Sequence, residues 1–69
     1  MANVTVISFT TGGQSREMEG SRPIDLAKDM DMTLNGVSIF VNDEPSTQGQ
    51  TLHNGDIVSF QQEKVSSGK

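Results

Sequence analysis

The sequence contains no cysteine. Disulfides and thiolate metal sites are therefore excluded, along with any chemistry that runs through a cysteine nucleophile. Basic residues are few, five against nine acids, for a formal net charge of −4. They form no stripe, and nucleic-acid binding depends on Lys and Arg neutralising phosphates, so no nucleic-acid partner is expected. Long apolar runs are missing as well. No stretch approaches the ~18 residues of a membrane-spanning helix, and the N-terminus shows no basic region followed by an apolar stretch and a cleavage site. A cytoplasmic, intracellular protein with no membrane partner is the expectation, and the lack of disulfides fits a reducing compartment. Aromatic side chains amount to Phe9, Phe40 and Phe60.

With 69 residues, a chain buries only about 60% of the surface its unfolded form exposes. One small domain is the most it can build. Its apolar residues are clustered rather than scattered, which favours a folded domain over disorder. "NVTVISFTT" (Asn3 to Thr11) is rich in β-branched and aromatic residues and reads as a strand. It is apolar on both faces, Val4 and Val6 on one and Ile7 and Phe9 on the other, as suits the middle of a sheet. Gly12-Gly13 supplies a hairpin turn. "QSREMEG" reads as a polar returning strand, charged as an edge strand should be.

In "SRPIDLAKDM", Ser21 is placed to cap a helix and Pro23 fits its first turn. Ile24, Ala27 and Met30 then recur on one stripe, widened by Leu26. Asn35-Gly36 marks a turn. "VSIFVND" (Val37 to Asp43) reads as an alternating strand, with Val37, Ile39 and Val41 facing one way and Ser38, Phe40 and Asn42 the other. "EPSTQGQ" reads as loop, broken by Pro45 and Gly49. A second turn at Asn54 to Asp56 leads into a last strand, Ile57 to about Gln62. The expected domain covers residues 1–65, with a flexible tail at 66–69.

A single helix can bury its stripe only against one face of a sheet. With the last strand docked beside the first, the order of elements defines an α+β fold of β-grasp (ubiquitin-like) type. The expected sheet is mixed and four- to five-stranded, with one helix packed across one face.

"IFVNDEPSTQGQTLHNGDIVSF" resembles the second half of the small β-grasp sulfur carriers of the thiamine and molybdopterin type. Those proteins carry a Val-Asn pair at a strand's end, here Val41-Asn42. A Leu follows, here Leu52, then a Gly-Asp turn, here Gly55-Asp56, and a final alternating strand, here with Val58 and Phe60. The first half agrees by element order alone. The resemblance implies a C-terminal Gly-Gly that is adenylated and converted to a thiocarboxylate. Here the chain ends Ser66-Ser67-Gly68-Lys69, so a carrier would have to work through Ser67, Gly68 and Lys69.

No catalytic group, cofactor or metal is expected. His53 is the sole histidine and falls in a turn; with no cysteine beside it, it makes a poor transition-metal set. "DMDM" (Asp29 to Met32) and Asp43-Glu44 lack the alternating oxygen ligands of a calcium loop. Gly12-Gly13 joins two strands and feeds no helix N-terminus, unlike a phosphate loop. Asn3-Val4-Thr5 matches a glycosylation acceptor but lies in an expected strand. Of the methionines, Met18 and Met30 are expected to fill the core.

What remains is surface. The sheet face left open by the helix is expected to bind a protein partner of unknown identity through Phe40, Ser38, Val4 and Val6. The expected function is a non-catalytic protein-interaction module, a monomer or a component of an assembly. The alternatives are a sulfur carrier or ubiquitin-like modifier acting through its tail, and a structural part of a larger, possibly viral, assembly.

Overall fold

A computed structural model of the chain describes residues 2–62. The expected boundary at residue 65 and the tail at 66–69 lie outside the described residues. The chain runs β1 (Ala2–Ser8), β2 (Ser15–Gly20), α1 (Pro23–Asp29), β3 (Val37–Val41), β4 (Glu44–Ser46) and β5 (Ile57–Gln62). The five strands form one mixed sheet in the order β2-β1-β5-β3-β4. β1 and β5 are parallel, pairing Thr5 with Ile57 and Ser8 with Phe60; the other pairs are antiparallel. The last strand of the sheet is thus its middle one, flanked by the first strand and by β3.

Alternation along these strands divides the sheet into two faces. One face carries Val4 and Val6 from β1, Ile39 and Val41 from β3, and Val58 and Phe60 from β5, all buried. Leu26 of α1, completely buried, joins the same cluster together with Ala2 and Leu52. Met18, Met30, Met32, Leu34 and Val37 pack around its margin. Met18 and Met30, expected to fill the core, are half-buried and pack against its edge.

Val4 and Val6 are a correction. They were expected on the open face and are instead 2% and 1% exposed in the core. β1 has two apolar sets, and it is the smaller pair that faces α1. The helix approaches the sheet closely there: a Cβ added to Gly20, at the end of β2, would lie 2.7 Å from Cδ2 of Leu26. Phe9 leaves the strand altogether. It opens a short 3-10 turn, Phe9–Thr11, whose N-cap Ser8 accepts a hydrogen bond from the Thr10 N–H through its side chain. Gly12 and Gly13 follow with φ of 71° and 85°, the left-handed backbone that glycine supplies without penalty.

Two local expectations are also corrected. Arg22, not Ser21, occupies the N-cap of α1, and its side chain makes no capping bond. Pro23 does begin the helix, where a missing N–H costs nothing. The segment after Asp43, expected as loop, starts with a strand. β4 pairs with β3 through a two-residue turn at Asn42 and Asp43, which were expected inside the strand and instead have positive φ, 53° and 69°. A type I′ hairpin requires this at both central positions, and Asn and Asp tolerate it best after glycine. With only three residues and Pro45 at its centre, β4 makes a blunt edge.

Among the described residues no helix is long and apolar enough to cross a membrane.

Candidate functional site: the open face of the sheet

The face opposite α1 is assembled row by row from the strand registers. Ile7 of β1 pairs with Ser59 of β5, Ser59 with Phe40 of β3, and Phe40 with Pro45 of β4. Ile7 also pairs with Ser15 of β2. One row therefore reads Ser15, Ile7, Ser59, Phe40, Pro45 across all five strands. The neighbouring row reads Glu17, Thr5, Ile57, and Glu19 opposite Asn3 begins a third.

Ile57 is 45% exposed, while Ile7, Ser59 and Phe40 are half-buried and Pro45 is exposed. No second helix among the described residues covers them. The expected site residues Ser38 and Phe40 do lie on this face, both half-buried. Ile7 of β1, rather than Val4 and Val6, lies on this face, and Ile57 of β5 and Pro45 of β4 complete its apolar surface. The signal for Ile57 was present in the alternation of β5: with Val58 and Phe60 in the core, Ile57 has to point away from it.

A second group of polar residues sits at one end of the sheet, where the turn before β5 meets the turn after β3. The Asn42 amide donates from Nδ2 to Asp56 Oδ1 at 3.1 Å, and its Oδ1 accepts the Ile57 N–H at 3.0 Å. Its own backbone N–H donates to the Ile57 carbonyl at 2.8 Å. Asp56 Oδ2 accepts the His53 N–H at 2.9 Å. Those two donors, His53 N–H first and the Asn42 amide second, hold the Asp56 carboxyl below its ordinary value, because both stabilise the ionised form. Nearby, Asn54 Oδ1 accepts the Asn3 N–H, the Gly55 N–H donates to the Asn3 carbonyl, and the Thr5 N–H donates to the Asp56 carbonyl. Gly55 has φ of 90°, which explains a glycine at that turn.

This network closes backbone donors and acceptors between β1, β3 and β5. A carboxylate held ionised by two N–H donors is poorly placed to act as a base near neutral pH. The ring of His53 is 79% exposed, with Nδ1 3.9 Å from Asp56 Oδ2. Among the described residues no three His, Asp or Glu side chains converge to hold a metal ion. Asn42 and Gly55-Asp56, two of the features that carry the resemblance to the sulfur carriers, thus have a structural role in this chain. The tail residues Ser67, Gly68 and Lys69, where the chain departs from the Gly-Gly of those carriers, lie outside the described residues.

No protein-family model matches the chain, and no curated protein is significantly similar to it.

Proposed function

We propose that this chain is a β-grasp (ubiquitin-like) module that binds another protein through the open face of its sheet and does no chemistry of its own. The strand order, with the last strand parallel to the first in the middle of the sheet, supports the fold type. The observation that carries the binding role is the apolar row of Ile7, Phe40 and Pro45 with the adjoining Ile57, which lies opposite the helix. Apolar side chains left in reach of water on one face of a small domain are a feature of protein–protein interaction sites. Ser59 lies between Ile7 and Phe40, and the polar residues Thr5 and Glu17 border Ile57.

The test compares capture of proteins from the native host by wild type, by Ile57→Asp and by Asp29→Lys. A specific partner should be retained by wild type and by the helix-side variant, and lost with Ile57→Asp. Equal retention by all three would overturn the reading. Intact mass of the protein recovered from the same host decides the carrier alternative: Lys69 kept, with no adenylate-dependent adduct, removes it.

A further inference from the structure

The open face is not only apolar; among the described residues its charge has one sign. Register places Glu17 and Glu19 of β2 on this face, opposite Thr5 and Asn3. Both are exposed, and among the described residues neither takes part in an ion pair. The basic residues among those described are Arg16, Arg22 and Lys28. Arg16 pairs with the core residue Val6 and so points to the helix side of the sheet. Arg22 precedes α1 and Lys28 lies in it. The described cations therefore gather on the helix side, and among the described residues the charged side chains that register places on the open face are carboxylates.

Geometry sets the two kinds of surface side by side. Glu17, Thr5 and Ile57 occupy adjacent strands of one row, so Glu17 and Ile57 stand about 10 Å apart at the usual strand spacing. Between β2 and the Gly55 turn the sheet forms a recess of about 450 Å³, lined by Asn3, Thr5, Glu17, Glu19 and Gly55 among others.

We propose that the partner of this face is a protein surface in which an apolar side chain is flanked by lysine or arginine. The apolar group covers Ile57, Ile7 and Phe40, and the cation lies in the recess against Glu17 and Glu19. The proposal rests on the open-face reading above and adds the chemistry of the occupant. Complementary charge at the rim selects among partners and speeds encounter, while the apolar contact holds them. An acidic rim disfavours a partner that carries its own carboxylates beside the apolar knob.

The probe is a helical, alanine-based peptide with Leu and Lys on one face seven positions apart, a rise of about 10 Å. Its twins carry Gln or Glu in place of Lys. Each is titrated into the ¹⁵N-labelled protein at low salt and followed by amide resonances. The Lys peptide should perturb Ile7, Phe40, Ile57, Glu17 and Glu19, and bind roughly three- to tenfold more tightly than the Gln twin. The Glu twin should be weakest. Glu17→Lys/Glu19→Lys should abolish the preference for Lys. Asp29→Lys/Glu44→Lys shifts the net charge equally, from −4 to about zero, but on the helix side, and should keep most of it.

Equal binding of the Lys and Gln peptides to this face would overturn the partner chemistry and leave the open-face reading standing. Equal loss in both double variants would reduce the preference to net charge and overturn it too. Perturbation confined to the helix side, or none with any peptide at millimolar concentration, would sink both.

Discussion

The two faces of this sheet are built from the same strands, and they differ in what the helix does to them. On the covered face, Val4, Val6, Val58 and Phe60 pack with Leu26, none more than 2% exposed. One residue away along each strand, Ile7 and Ile57 bear similar side chains and remain in partial contact with water. Apolar character is thus no guide to which side is core; what separates the faces is the placement of α1. Stability should be concentrated on one side of the sheet and recognition on the other.

The largest test of that division is Phe60→Ala. Phe60 is 1% exposed in the middle strand, and the cavity it leaves should cost about 3–5 kcal/mol, a large part of what so small a domain has. Urea unfolding at pH 7 measures it; a loss under about 1 kcal/mol would mean that the covered face is not the stabilising one.

A smaller effect is expected where the faces meet at the end of the sheet, at Asp56. Its folded pKa lies below the ordinary 3.8. Its contribution to stability is then complete above that value and is lost as pH falls through the lowered folded one, because the unfolded chain takes up the proton first. Asp56→Asn should lower stability at pH 7 and narrow the difference between pH 7 and pH 3 relative to wild type. An unchanged pH profile would show that the Asn42 and His53 donors contribute nothing through the charge.

The smallest effect on stability belongs to the open face. Ile57→Ser removes an apolar side chain that is 45% exposed, and its unfolding free energy should move by less than about 0.5 kcal/mol. Partner binding should be lost in the same variant. Thermal unfolding beside a binding assay reads both, and a large drop in stability would erase the contrast between the faces.

Much of this arrangement is legible along the chain. The alternation of Val37, Ile39 and Val41 against Ser38 and Phe40 carries over into the two faces of β3. Pro23 opens α1, and Gly12-Gly13 lies in the link between β1 and β2. The failures have specific causes. Ser21 is a better capping residue than Arg22, yet the backbone around it is committed elsewhere, with the Ser21 carbonyl accepting the Leu52 N–H at 2.8 Å. β4 escaped notice because Pro45 argues against a strand interior; at a sheet edge that objection lapses. Of the residues expected on the open face, two lie there and two do not. Phe40 and Ser38 lie on the open face, but β1 turns Ile7 to it rather than Val4 and Val6, and Ile57 joins from β5.

Local sequence alone settles where strands alternate, that Gly12-Gly13 turns the chain and that Pro23 lies in the first turn of the helix, because each depends on neighbours a few residues apart. It also establishes that cysteine chemistry is absent. Whether Val4 or Ile7 faces the helix, whether Glu44–Ser46 pairs at all, and which side receives the carboxylates of Glu17 and Glu19 were decided only when distant strands came into register. Alternation says that successive side chains oppose one another; it takes a helix laid across the sheet to say which of them is inside.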